Sequence, residues 1–250
     1  MARHLCSVSS AIAVVLLMST AGHAADPKVP AAVSAAVADS GRPQADKDKD
    51  GGRKPAESVA FAGIKKGDKV ADLLAGGGYF TRILSKTVGD SGAVYATGFP
   101  PRPGASGPSP LETLAADAAY KNVKVLSGPP ADIKFPEPLD VVWTSLNYHD
   151  IHNANAQDAF NKAAFAALKP GGTYIVIDHA AAPGSGTNDT AKLHRIDPEI
   201  VKTEVTAAGF KLAGQGDFLK NEKDPHTANV HDEVIRWHTD QFVLKFTKPK

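Results

Sequence analysis

The sequence predicts an α/β domain whose doubly wound, mostly parallel sheet of seven strands ends in an antiparallel C-terminal edge. Three observations predict it. From Lys69 to Ala208 short strands alternate with helical segments, and such alternation implies right-handed crossovers with helices on both faces of a parallel sheet. The strands themselves, Val70–Leu74 and Leu139–Thr144 above all, are short, apolar runs closed by turn residues. The last two strands, Phe210–Phe218 and Gln241–Phe246, have no clear helical pattern between them, which makes antiparallel pairing the economical arrangement.

The first residues belong to none of this. Arg3 and His4 precede an apolar run, Ala11–Met18, and the small residues Ser19-Thr20-Ala21-Gly22-His23-Ala24 follow it. Basic start, short apolar centre and small-residue end form the layout of a secretory signal peptide. The run is far short of the roughly 20 residues that cross a bilayer. Residues 1–24 are therefore expected to be a signal peptide cleaved after Ala24, which places the mature chain in the periplasm. Cleavage removes Cys6, the one cysteine, and Arg3, leaving equal numbers of basic and acidic residues. A chain without basic excess is a poor partner for nucleic acid or anionic lipid, so a small molecule is the expected partner, with no membrane contact after cleavage. Nothing in the sequence sets the oligomeric state.

Residues 25–56 read as a polar lead-in with a short helical pattern, Pro30–Asp39; its charges Arg42, Asp46, Asp50, Arg53 and Lys54 read mostly as a solvated arm. The domain proper is expected over 57–250. A helix, Glu57–Phe61, is closed by Gly63. After the first strand come Gly76-Gly77-Gly78, then Phe80, Ile83, Leu84 and Val88 at helical spacing. Ala93–Thr97 is a second strand, and the Pro- and Gly-rich stretch from Gly98 to Pro110 can be neither helix nor ladder. A helix Leu111–Tyr120, a strand Val123–Leu126, the strand Leu139–Thr144, a helix Asn155–Leu168 and a strand Thr173–Asp178 follow. Asp197 caps a helix that carries Pro198 in its first position and Gly209 past its end.

Three stretches can carry chemistry. In Asp72-Leu73-Leu74-Ala75-Gly76-Gly77-Gly78-Tyr79 the glycines let backbone approach a ligand and leave N–H groups free at a helix start. It is neither the dinucleotide fingerprint nor a phosphate loop, because the glycine spacing of the first and the Lys-Ser/Thr of the second are missing. Asn147-Tyr148-His149-Asp150-Ile151-His152 lies just past the fourth strand, where ligands of open α/β sheets bind. His149 titrates near neutral pH and suits a proton acceptor, or alternatively caps a helix. Asp178-His179 ends the fifth strand, and the Gly/Ser-rich loop Pro183–Thr190, a candidate lid, leads to His194 and Arg195. His149, Asp178, His179 and His194 are also potential metal ligands, but no tight His-x-x-x-His spacing supports that, and no metal is assigned. His152, His226, His231 and His238 read as surface residues.

The glycine loop, the strand order, Leu168-Lys169-Pro170-Gly171-Gly172 and the closing strand pair resemble class I S-adenosylmethionine-dependent methyltransferases. More narrowly, Arg53-Lys54-Pro55-Ala56-Glu57, Asn147-Tyr148-His149-Asp150, Pro183-Gly184-Ser185-Gly186 and His194-Arg195-Ile196-Asp197-Pro198 are similar to an exported branch of predicted methyltransferases. The resemblance covers roughly residues 40–248. It implies S-adenosylmethionine as cofactor, with Asp72, Ala75, Gly76, Gly77, Gly78, Tyr79 and Asn147 around it, and His149, Asp178 and His194 as catalytic residues. Three positions depart from the broad family: Leu74 stands where a first glycine is usual, Ala96-Thr97-Gly98 lacks the acid that grips the ribose, and Gly128-Pro129-Pro130 lacks an acid near the adenine, with Asp132 the nearest substitute. The expected activity is methyl transfer to an unknown small molecule. Two alternatives stay open at this point: a non-catalytic binding protein on the same fold, and a metal-dependent hydrolase.

Overall fold

A computed structural model describes residues 23–24, 27–99, 104, 106–129 and 131–250. The expected signal peptide lies outside them except for the backbone of β1 (His23–Ala24). Four short helices follow: α1 (Ala31–Val37), α2 (Gln44–Lys47), α3 (Asp50–Arg53) and α4 (Pro55–Ala62). The alternating part runs β2 (Lys69–Leu73), α5 (Tyr79–Val88), β3 (Ala93–Thr97), α6 (Pro110–Ala116), β4 (Val123–Leu126), β5 (Leu139–Ser145), α7 (Tyr148–Asn153), α8 (Gln157–Ala167) and β6 (Leu168–His179). It continues through α9 (Thr190–Leu193) and α10 (Pro198–Ala207) to β7 (Lys211–Gly216) and β8 (Gln241–Thr247).

The sheet order is β1-β7-β8-β6-β5-β2-β3-β4. From β4 to β6 every pairing is parallel, and β8 inserts antiparallel between β6 and β7. An eighth strand joins the seven expected: β1, two residues long, pairs in parallel with the outer side of β7. Two residues are too few to leave a periodic signal in the sequence. The central strands bury both faces. Val141 and Trp143 of β5 pack with α5 residues Phe80, Ile83 and Leu84, whereas Val142 packs on the other side with Phe160, Val201 and Val205 of α8 and α10. That two-sided burial is why these strands read as continuous apolar runs.

Three local expectations need correction. Residues 147–153 read as a loop, yet Tyr148–Asn153 is a helical turn and a half, too short for 3.6-residue periodicity to reveal. The helix expected to reach Tyr120 ends at Ala116, because the Asp117 side chain accepts from Ala119 N–H and starts a separate 3-10 turn. The lead-in is no solvated arm over its described residues: Arg42 is 3% and Asp46 8% exposed. Both are held by charged partners on α3 and α5.

Candidate active site

Strand order reverses between β2 and β5, and the loops after these two strands flank a cleft. Its lining includes Asp72, Leu74, Ala75, Gly76 and Gly77 on one wall and Ser145, Leu146 and Asn147 on the other. A Cβ added to Gly76 or Gly77 would meet nothing within 4 Å, so their open side faces the cleft. Gly78 differs. Its φ is +83° and a Cβ there would lie 2.7 Å from Leu114 Cδ1, so it serves the seat of α6 and does not line the cleft. Leu74, at the place where a glycine is usual, has φ +55°, a left-handed conformation that costs a branched side chain roughly 1–2 kcal/mol. Its N–H donates to Thr97 Oγ1 at 2.9 Å. The end of β3 thus holds the loop's backbone instead of presenting an acid to a ligand. Asp132, the other candidate acid, lines a separate surface cavity beside α8.

Asn147 lines the cleft while its side chain ties the two loops together. Nδ2 donates to the carbonyls of Leu74 and Ser145 at 3.2 Å each, and Oδ1 accepts from Thr144. Tyr79 lines the cleft with its hydroxyl turned to the lead-in: the hydroxyl donates to Asp50 at 2.6 Å, and Asp50 takes Arg42 in a bidentate pair at 2.7 and 2.9 Å. Arg82 adds a bond to Asp46 at 3.1 Å and one to the Gly77 carbonyl at 2.9 Å. The charges of the lead-in therefore clamp it over the glycine loop, which sequence reasoning missed. Arg53 is the exception among them. It stacks 4.5 Å over the Tyr79 ring, lines the cleft, and its buried Nε has no hydrogen-bond partner.

This pole fits S-adenosylmethionine. The open glycine edge offers room for backbone contact, Arg53, whose buried Nε has no hydrogen-bond partner, suits a carboxylate, and Asp72 near the end of β2 lines the same cleft. Burial pushes the Asp72 carboxyl up to about 7 against the hydrogen bond from Thr81 Oγ1 at 2.6 Å. A buried acid so poised favours a cationic partner.

A second pole lies past β5 and β6; its residues His149, Asp178 and His194 stand behind Asn147 and do not themselves line the cleft. Asp178 is wholly buried and accepts from the backbone N–H groups of His149 and His179 at 2.8 Å each, and from His149 Nδ1 at 2.9 Å. Burial alone would raise the Asp178 carboxyl, but the His149 charge and these hydrogen bonds outweigh it and hold it below its ordinary value. For His149, burial lowers the imidazole, and the Asp178 charge and hydrogen bond more than offset that, so it stays raised. With Nδ1 bonded to Asp178, Nε2 is the free edge. It faces Asp150 Oδ1 at 3.6 Å, and the His194 ring stands edge-on at 5.3 Å between centroids. His179 is held neutral, burial lowering it to about 3, with Nδ1 on Thr239 Oγ1 at 2.7 Å.

His194 has φ +57° at the end of α9, and the motif around it is mostly scaffold. Arg195 is fully buried, bonds Asp224 at 2.8 and 3.1 Å, and so ties the long segment before β8 to this pole. Asp197 caps α10 and also accepts from Gly184 N–H at 2.8 Å, which fastens the loop 183–190 and removes the free lid. His231, expected to be an isolated surface residue, lies with its ring 5.0 Å from His194. His226 bonds Asp240 at 3.0 Å, and His152 pairs with Glu204 at 2.9 Å. Asp150 and His231 joined the cluster unseen by sequence reasoning; the run His149-Asp150 was the available signal for the first, and nothing local marked the second.

No family model matches the chain. It is 31% identical over 192 residues to the ubiquinone/menaquinone biosynthesis C-methyltransferase UbiE of Neisseria meningitidis serogroup A, covering 75% of this chain and 67% of that one. It is 30% identical over 164 residues to the chloroplastic 2-phytyl-1,4-beta-naphthoquinone methyltransferase of Arabidopsis thaliana, covering 65% and 60%. Among solved structures, the arsenic(III) S-adenosylmethionine methyltransferase CrArsM of Chlamydomonas reinhardtii is similar with a TM-score of 0.57, 18% identity, and coverage of 88% of this chain and 74% of that one. The glycopeptide N-methyltransferase MtfA, complexed with sinefungin, follows at 0.56 and 14%, with 80% and 87% covered. At these identities the structural likenesses establish the fold.

Proposed function

The chain belongs to the family of S-adenosylmethionine-dependent methyltransferases that includes the UbiE enzymes, and from that premise we propose that its acceptor is a small hydroxylated aromatic ring, methylated on a ring carbon. The observation that carries the acceptor class is the rim of the cleft. Among the described residues the large apolar side chains left exposed are Phe99 at 49%, Val234 at 86% and Trp237 at 37%, and two of these three, Phe99 and Trp237, line the cleft. Exposed aromatic faces gathered at one opening mark a site for an apolar, planar ligand. The quinone substrates in the names of the similar enzymes have that chemistry.

When bound, the cofactor supplies an electrophilic methyl group on a positively charged sulfur. Asp72, Gly76, Gly77 and Arg53 would hold its amino-acid end. His149, oriented by Asp178, takes the acceptor's hydroxyl proton at Nε2. The phenolate left behind pushes electron density onto the ring carbons beside it; as one of them takes the methyl, the sulfur–methyl bond would break to leave the neutral thioether, and the proton on that carbon is then lost to water, which restores the aromatic ring. The decisive experiment supplies methyl-labelled cofactor with naphthol-type and with polar aliphatic acceptors. Label should appear as a carbon-bound methyl on the aromatic ring, and Trp237→Ser should raise KM for that acceptor roughly tenfold, the loss of a stacking contact worth about 1.4 kcal/mol. Transfer to the aliphatic acceptors alone would refute the assignment.

We further propose that the enzyme is exported and works in the periplasm, on the support of Arg3, the apolar run Ala11–Met18 and Ala21-Gly22-His23-Ala24. N-terminal sequencing of periplasmic protein should begin at Ala25; an intact Met1 in a cytosolic pool overturns this.

A further inference from the structure

We infer that His149, Asp150 and His194 form a binding site for a divalent transition-metal ion of the zinc type, next to the cofactor cleft. The ligand atoms of these three side chains all lie within 4.8 Å of one another. His149 Nε2 stands 3.6 Å and His194 Nδ1 3.8 Å from the same oxygen, Oδ1 of Asp150. Ligand atoms around a tetrahedral ion at about 2.1 Å stand about 3.4 Å apart, so both imidazole–carboxylate separations are within a few tenths of an ångström of that spacing, and the two imidazole atoms lie within 4.8 Å of each other.

Two independent features turn this proximity into a built site. The first is the support behind His149. Asp178 takes Nδ1 at 2.9 Å and the His149 backbone N–H at 2.8 Å, which fixes the ring with the Nε2 lone pair toward the carboxylate. A lone pair aimed at an anion is repulsive, and a cation bound at Nε2, a proton or a metal ion, relieves it. The same carboxylate–imidazole–ion relay orients histidine ligands in metalloproteins generally, and the carboxylate behind the ring raises its affinity for the ion. The second is the backbone at His194. Its φ of +57° is a conformation that non-glycine residues adopt at a cost, and it is held by the Arg195 N–H bond to the Asp189 carbonyl and by the buried Arg195–Asp224 pair. With that backbone, at the C-cap of α9, the His194 imidazole stands edge-on to the His149 ring at 5.3 Å between centroids.

Two imidazoles and one carboxylate select against calcium and magnesium, which prefer oxygen alone, and suit zinc, cobalt or nickel. Three protein ligands leave a coordination position open, and the His231 ring, 5.0 Å from that of His194, stands at this side of the cluster. Ion and proton compete for His149 Nε2, so occupancy lowers methyl transfer. That consequence rests on the role proposed above for His149, whereas the site itself does not.

The test uses the full chain without an affinity tag, carrying Cys6→Ser so that no thiol competes. Calorimetry with zinc chloride should give one equivalent bound, zinc should raise the melting temperature, and cobalt should give the visible absorption of a low-coordinate nitrogen–oxygen site. Asp150→Asn and His194→Ala should each weaken zinc at least tenfold, Asp178→Asn about 10–100-fold although it is no ligand, and His226→Ala not at all. Asp150 is 45% exposed, so its variant keeps the fold even where His194→Ala does not. Absence of stoichiometric zinc, or zinc binding undiminished in Asp150→Asn, would overturn the site. Zinc bound through these residues with methyl transfer undiminished would overturn the competition alone.

Discussion

The two poles of the site are built from different materials. At the glycine loop the ligand-facing surface is largely backbone: Gly76 and Gly77 present open space beside the Asp72 and Arg53 side chains, while the side chains of Asn147 and Thr97 are committed to holding the loops in place. At the histidine pole the surface is side chain: Asp178, His149, Asp150, His194 and His231 form a chain of contacts in which each ring is placed by the next. A backbone site recognises a ligand that the whole family shares, since N–H groups and absent side chains tolerate much sequence drift. A side-chain site carries the chemistry that distinguishes one member from another. The difference teaches that replacing one side chain should separate binding from turnover at one pole and not at the other.

The largest expected effect tests that separation. His149→Ala should lower turnover by about 10²–10⁴-fold, the usual contribution of proton transfer by a positioned group, with cofactor affinity within about twofold of the parent. Turnover on a naphthol-type acceptor, calorimetry with S-adenosylhomocysteine and a melting curve on one sample decide it. Equal losses in both affinity and turnover would merge the two poles into one cooperative unit.

How much of this was legible in the sequence follows from the same contrast. Most of the glycine-loop wall is a contiguous run, Asp72 to Gly77, at the end of an apolar strand, so position and chemistry could be read together, whereas Arg53 in the same cleft could not. The proximity of His149 and Asp178, 29 residues apart, follows from topology, because β5, which leads into His149 on α7, and β6, which carries Asp178, are neighbours in this sheet order. Asp150 and His231 could not be read. The first takes its direction from a helix too short for periodicity, and the second arrives on an irregular segment whose path is set by the Arg195–Asp224 pair. The charges of the lead-in misled for a further reason. Arg42, Asp46 and Asp50 have the composition of a solvated arm, and only their partners on α5, Tyr79 and Arg82, give them burial. Leu74 itself holds a φ of +55°, a left-handed conformation that glycine adopts freely, so the backbone there has a shape the residue type did not announce.

A smaller effect comes from adjacent glycines that ought to behave in opposite ways. In Gly77→Val the new side chain meets no protein atom within 4 Å of its Cβ, so melting should hold while S-adenosylhomocysteine affinity falls by about 100-fold, equivalent to roughly 2.7 kcal/mol of steric exclusion. In Gly78→Val the Cβ meets Leu114 Cδ1 at 2.7 Å with φ at +83°, so the melting temperature should drop first, by the cost of strain and overpacking, about 1–3 kcal/mol. If Gly77→Val bound the cofactor normally, the ligand-facing edge of the loop would lie elsewhere.

The smallest effect concerns Asp72 and is a matter of sign. Its carboxyl is raised to about 7 in the fold, chiefly by burial, against an ordinary value of 3.8. The folded protein therefore holds a proton that the unfolded chain has released, across the window between those values. The stability linked to that proton is fully present below about pH 3.8 and is lost as pH rises through about 7. Asp72→Asn removes the titration while its amide oxygen can still accept from Thr81 Oγ1. Without cofactor, the variant should melt higher than the parent at pH 8, where the parent has to expose or bury an ionised carboxylate. The gain should shrink steadily toward pH 4. Cofactor affinity should fall in the same variant, because the neutral amide offers a cationic partner no charge. A variant that melted lower at pH 8 would mean that Asp72 is ionised and well satisfied without a ligand, and the comparison would then lose its premise that this acid waits for one.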